Sequence, residues 1–157
     1  MTAPNTGGTH VALTAVVTRR NGSDTGDEII RAVQTVIRGC EALDMEMAFR
    51  IFWNSPDFRM ISMDGRLCDH QTYIQDNIEY LKTCAQFTLT TLTQEITVFT
   101  RTLAICSWIY RVDATLKTGE HDRIDNAGAS FVFRKIEDEW KVVYYQESTL
   151  PPMRTTE

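Results

Sequence analysis

The stretch "FVFRKIEDEWKVVYYQES", residues 131–148, holds two apolar, aromatic-rich runs on either side of a short acidic turn. Val, Phe and Tyr favour the pleated, half-buried surface of a sheet, so the stretch reads as two antiparallel strands, about residues 121–136 and 139–148. The last strand ends on Glu147, which is either a surface carboxylate at a strand end or a carboxylate aimed into a pocket.

Working outward, β-branched and aromatic residues dominate from Ala85 onward, and no proline appears before Pro151. This predicts strands at about 85–93 and 95–100, the latter joined by a tight bend to 103–117. Upstream of residue 85 the pattern is helical. Thr25 followed three residues later by Glu28 is a capping box, and Ile29, Ile30, Val33, Val36, Ile37, Cys40 and Leu43 keep a helical period. Asp44 caps a second, short helix with Met47, Ala48, Ile51 and Phe52 on one side, ended by "NSP" at residues 54–56. "FRMISMDGRLCD", residues 58–69, is a hairpin about Asp64 and Gly65. Asp69 then caps a third helix with Tyr73, Ile74, Ile78, Leu81 and Cys84 on its apolar side.

Helices first and a meander of long strands after them is an α+β pattern. Long strands fed by short turns twist strongly. The expected architecture is a cone: a curved antiparallel sheet packed on three N-terminal helices and enclosing a cavity. Residues 1–23, rich in Thr, Gly and Asn, read as a mobile tail with room for one short strand. The domain spans 24–150, and 151–157 form a second tail.

A chain of 157 residues suggests one domain, long enough to bury roughly 70% of its unfolded surface without a disulfide or metal. The net charge is −5 and the longest basic runs are pairs, which argues against a nucleic-acid surface. Cys40, Cys68, Cys84 and Cys106 form no Cys-x-x-Cys motif and read as reduced core thiols of a cytoplasmic protein. No apolar run is long enough to span a bilayer, and no basic residue precedes "HVALTAVV" at residues 10–17, which argues against a secretory leader. Three dispersed histidines give no metal-site spacing, and there is no phosphate loop or nucleophile elbow, so neither metal nor cofactor is expected.

Strands alternate their faces. In the last strand Lys141, Val143, Tyr145 and Glu147 share one face, and Trp140, Val142, Tyr144, Gln146 and Ser148 the other. In the strand over 103–117, Ile105, Ser107, Ile109, Arg111 and Asp113 oppose Cys106, Trp108, Tyr110 and Val112. Both faces are largely apolar. One covers helices and cavity, and a second subunit is the simplest cover for the other.

The order of elements, the "DGRLCD" hairpin and the closing stretch resemble the nuclear transport factor 2-like superfamily over about residues 25–150. The similarity is closest to its SnoaL-like polyketide-cyclase branch and to the association domain of calcium/calmodulin-dependent protein kinase II. That resemblance implies that Arg111, Asp113, Phe131, Tyr145 and Glu147 point inward. It equally implies that Trp108, Tyr110, Val132, Val142 and Tyr144 form a homodimer face. Glu147 stands where association domains have a basic residue, and Tyr144 and Gln146 where histidines are common.

Two functional readings follow. In the first, the cavity takes a small apolar or aromatic carbonyl compound and the protein is a cofactor-free isomerase, cyclase or dehydratase. Glu147 is then the acid or base, with Arg111 and Tyr145 stabilising an oxyanion. Trp53, Phe58, Met60, Tyr73, Asp113 and Phe131 are the candidate ligand contacts, and Trp53, Phe58 and Met60 read equally as plain core. In the second reading the domain binds a ligand or assembles without chemistry, and Arg111 and Glu147 form a structural ion pair. His70, just after the cap at Asp69, is either a general base at the mouth or an exposed first-turn histidine.

Overall fold

A computed structural model describes residues 16–20 and 23–149. Three helices, α1 (Ser23–Glu41), α2 (Met45–Phe49) and α3 (His70–Thr83), accompany seven strands. These are β1 (Val16–Arg20), β2 (Arg59–Ile61), β3 (Leu67–Cys68), β4 (Cys84–Thr100), β5 (Leu103–Leu116), β6 (His121–Ile136) and β7 (Glu139–Thr149). They form one open sheet in the order β1-β4-β5-β6-β7-β2-β3. The long strands pair antiparallel, while β1 joins β4 and β2 joins β7 in parallel. The architecture is the expected curved α+β sheet with its helices toward the N-terminal end.

The helices form where apolar periodicity and caps place them. Ile29, Ile30, Val33, Val36 and Cys40 are the buried stripe of α1. Asp44 accepts from Met47 N at 3.0 Å and Asp69 from Thr72 N at 2.8 Å, each occupying a backbone donor left open in a first turn. Because α1 begins at Ser23, Thr25 lies inside its first turn and is not the cap. Gly39 lets α1 pack directly on α2: a Cβ there would stand 2.3 Å from the backbone nitrogen of Ala48.

The expected break between 93 and 95 is not a strand end. β4 runs for 17 residues, and what interrupts it is a bulge between Thr91 and Thr93. A bulge lets a strand bend without losing its ladder. Two more matter for the site. At Arg111, β5 faces two residues of β6, since Tyr110 pairs with Ala127 and Val112 with Ile124. At Val143, β7 carries an extra residue, since Tyr144 pairs with Val132 and Val142 with Phe133. The β6–β7 turn is tight, with both Glu137 (φ 49°) and Asp138 (φ 64°) in the left-handed region that two-residue hairpin turns require.

The tail expected over 1–23 contains β1, and its remainder lies outside the described residues apart from Ser23, as do 151–157. Among the described residues no helix is long and apolar enough to cross a membrane.

Candidate active site

The core lies between the inner sheet face and the helices. Each long strand supplies alternate residues to it: Phe87 and Ile96 from β4, Cys106, Trp108, Tyr110 and Val112 from β5, Phe131 and Phe133 from β6. In β7 the bulge at Val143 allows Val142 and Tyr145 to point inward although an odd step separates them; both are buried.

This corrects the expected parity of β5. Trp108 and Tyr110 are inside, not on a dimer face, and Arg111 and Asp113 are outside. Val142 is likewise inside. The outer face keeps Val132 and Tyr144 of the expected set, together with Ile105, Leu103 and Ile109. The cause lies in the residues themselves: inward positions 104 to 114 of β5 are Ala, Cys, Trp, Tyr, Val and Ala, while both charges sit on the alternate set. Charged side chains settle on the face that water can reach.

A cavity of about 210 Å³ remains between the inner face and the helices. Its wall is mostly aromatic, with Phe49, Phe52, Tyr73, Trp108, Phe131 and Tyr145 among the lining residues. Phe131 stacks on Tyr145 (4.6 Å, 17°) and Trp108 on Tyr110 (4.1 Å, 20°). Trp108 Nε1 donates to Thr91 Oγ1 at 3.0 Å, which satisfies its polar edge.

Glu147 stands at the end of this wall. It also lines a second, more polar cleft with Met60, Ser62, Arg66, Asp76 and Asn77, so its carboxyl marks the place where the two spaces meet. Tyr145 donates a short hydrogen bond to Glu147 Oε1, and Tyr110 donates to the same oxygen at 3.3 Å. Burial raises the Glu147 pKa above its ordinary value, and the two phenol hydroxyls partly oppose that. The residue is partly exposed, and it borders both the cavity and the adjoining cleft. Burial also drives the hydroxyls of Tyr73, Tyr110 and Tyr145 far up, with the charge of Glu147 adding to the effect, so all three remain neutral donors. Cys40, which lines the cavity too, is pushed up to about 12 by burial and stays a thiol.

Of the expected site residues, Glu147, Tyr145, Tyr73 and Phe131 meet at the cavity. Met60 lines the adjoining cleft. Phe58 is fully buried core against Phe52, Tyr73 and His70. Trp53 is half-buried, and its backbone nitrogen donates to Val142 O at 2.9 Å, tying the segment after α2 to β7. Arg111 is not in the cavity. It lies across the sheet, its Nε 3.6 Å from Asp125 Oδ1, beside an Arg123 that reaches both Asp125 and Asp113. Asp113 sits in a surface hollow with His121, Asp122 and Arg123. The Arg111–Glu147 pair does not exist, because the two side chains occupy opposite faces. His70 packs edge-on against Phe58, and burial lowers its pKa. Trp108 and Tyr110 line the cavity although the resemblance implied the dimer face for both, and the uncharged face of β5 is the signal that places them. Among the described residues no group of His, Cys, Asp or Glu is arranged to hold a metal ion.

The fold is the nuclear transport factor 2-like fold. Solved structures that share it include a nuclear transport factor 2-like superfamily protein from Salmonella enterica, with a TM-score of 0.69 and 20% identity over 83% of this chain and 94% of that one. The association domain of calcium/calmodulin-dependent protein kinase II from C. elegans matches with a TM-score of 0.63 and 19% identity, over 80% of this chain and 95% of that one. A nuclear transport factor 2-like protein of unknown function from Shewanella oneidensis matches with a TM-score of 0.61 and 16% identity, over 79% and 98%. No protein-family model and no curated protein matches the chain. At these identities the likeness is one of fold, and function is argued from the site.

Proposed function

We propose that the protein binds a small, mostly apolar ring compound in the aromatic cavity and moves a proton on it, as a cofactor-free isomerase, cyclase or dehydratase of carbonyl compounds does. One observation carries this reading: Glu147 is a carboxyl with a raised pKa, held at the edge of an apolar space by two neutral phenols that both occupy Oε1. Oε2 is left for a ligand. A carboxyl tuned upward by burial is suited to take a proton from carbon beside a carbonyl and return it, either to another carbon or to a departing hydroxyl, which leaves as water.

Tyr110 and Tyr145 act as positioning residues, since both hydroxyls are spent on Glu147. The oxyanion role expected of Arg111 has no support, because Arg111 faces away. The same fact removes the motive for a purely structural Arg111–Glu147 pair. The test is turnover. Ring ketones that raise the melting temperature are assayed with wild type and Glu147→Gln, and the variant is expected to lose about 10²- to 10⁴-fold in kcat. Unchanged kcat would sink the proton-transfer mechanism.

A second observation favours self-association alongside this. Leu103, Ile105, Ile109, Val132 and Tyr144 lie on the outer sheet face, where Ile109 is 42% exposed. We read that face as the homodimer surface, with only Val132 and Tyr144 kept from the residues that the sequence suggested. A cytoplasmic location fits four cysteines that are free and buried.

A further inference from the structure

We infer that the natural ligand of this cavity carries a protonated nitrogen: it is an apolar ring compound with an amine, and its cation rests against the aromatic wall within reach of Glu147. The inference rests on the reading of the cavity as a ligand site and narrows the class of ligand.

Its first support is a missing charge. Glu147 is the carboxylate of the cavity, among the described residues none of those lining it is basic, and the guanidinium of the adjoining cleft, Arg66, is engaged by Asp64 and Asp76. The one sequence candidate for a counter-charge, Arg111, is on the other face with Asp125. The two partners of Glu147 are neutral phenols, which orient the carboxylate and do not neutralise it. A partly buried carboxylate with no cation beside it is less well held than a paired one, and a ligand that brings a cation supplies the missing partner.

The second support is the wall. Tyr73, Trp108, Tyr110, Phe131 and Tyr145 surround the space next to Glu147, and aromatic faces attract a cation that comes within about 6 Å of a ring centroid. The stacked pairs hold their rings in fixed planes, each ring covering one face of its neighbour, so the remaining faces are fixed in direction.

The third support is the surroundings. Under the β2–β3 hairpin, Arg66 is held by Asp64 at 2.6 Å and by Asp76 at 3.1 Å, two carboxylates to one guanidinium. On the other side Glu41 accepts from Leu89 N at 3.3 Å and its charge is felt at Cys40. Asp122 takes the Tyr80 hydroxyl at 2.9 Å, with Lys117 acting on the neighbouring Cys84. Among these groups the carboxylates outnumber the cations, and that excess of negative charge favours a cation over an anion.

The test uses three phenyl compounds of near-equal size that differ in charge: phenethylamine, phenethyl alcohol and hydrocinnamate. Each is titrated calorimetrically into wild type and Glu147→Gln at neutral pH. The amine is expected to bind wild type at least about tenfold more tightly than the alcohol, with hydrocinnamate weakest, and to lie within about twofold of the alcohol in the variant. If the alcohol or hydrocinnamate binds as well as the amine, or the amine keeps its advantage in Glu147→Gln, the inference is overturned while the cavity reading stands. If none of the three binds, both are overturned.

Discussion

Tyr110 and Tyr145 reach the same oxygen of Glu147 from β5 and β7, with β6 lying between them. The two hydroxyls fix the carboxyl's rotation and leave its other oxygen without a hydrogen-bond partner among the described residues. The arrangement depends on the sheet being curved, since strands two apart must bring long side chains to one point.

Removing either hydroxyl should therefore disturb Glu147 more than it disturbs the fold. Each hydroxyl favours the ionised carboxyl, so Tyr145→Phe and Tyr110→Phe are both expected to raise the Glu147 pKa further, Tyr145→Phe by more. A carbon-detected NMR titration of the glutamate carboxyls reads this directly. A fall in that pKa in either variant contradicts the assigned donors.

Glu147 also sets a pH signature on stability. Its folded pKa lies above the unfolded one, so between the two values the folded state binds more protons. The contribution is fully present below the unfolded pKa and is lost as pH rises through the folded one. Glu147→Gln stays neutral throughout, so its melting temperature should gain on wild type as pH is raised from about 4 toward 8. A melting temperature of Glu147→Gln that instead falls relative to wild type over that range would refute an upward shift.

Arg111 offers a separate check on which way β5 faces. Its side chain is 27% exposed, with a long contact to Asp125, and a pair of that kind contributes about 0–1 kcal/mol. Arg111→Met should change the unfolding free energy by about 1 kcal/mol or less and leave the affinity for a cavity ligand within about twofold. A large loss of ligand affinity would return Arg111 to the site.

Gly39 is a packing prediction. A methyl group there would meet Ala48 N at 2.3 Å, Ala48 Cα at 2.6 Å and Met47 C at 2.8 Å, all backbone atoms that cannot rotate aside. Gly39→Ala gains helix propensity yet should cost about 3 kcal/mol or more, read from the denaturant midpoint. Wild-type stability in this variant would show that α1 and α2 are not in direct backbone contact.

The outer face makes the last prediction. If Ile105, Ile109, Val132 and Tyr144 form a homodimer surface, light scattering should give about twice the 18.0 kDa chain mass at micromolar concentration. Ile109→Asp should shift that to the monomer without lowering helix or sheet content. A wild-type monomer would end the proposal.

Most of the fold was legible because its signals are local. Asp44 and Asp69 announce helix starts, Asp64-Gly65 a turn, and the run from residue 85 onward its strands. Inward placement of Tyr145 and Glu147, implied by resemblance, agrees with the structure. The same resemblance implies the opposite faces for β5, although Arg111 and Asp113, both charged and both on one set, point to the solvent side. Val142 was misplaced for a different reason. Strict alternation forbids Val142 and Tyr145 from sharing a face, and no local feature of "KVVYY" marks Val143 as the extra residue. A bulge is a property of two strands together, set here by how β7 must fit β6 and Phe52 at once. The Glu147 site was only half visible for the same reason, since Tyr110 arrives from a strand that the sequence places far away.

The extra residue at Val143 has a bearing on how this chain is compared with others. It makes the position of Glu147 a matter of counting: take Val143 into a regular ladder, with no residue added or removed, and Tyr145 and Glu147 rotate to the outer face while the sequence stays the same. Two chains could thus share the same closing pattern of Trp, aliphatic and aromatic residues yet present opposite sets to the cavity. Correspondence between such chains has to be fixed separately on each side of the bulge, by which residue pairs with Phe133 and which with Phe131.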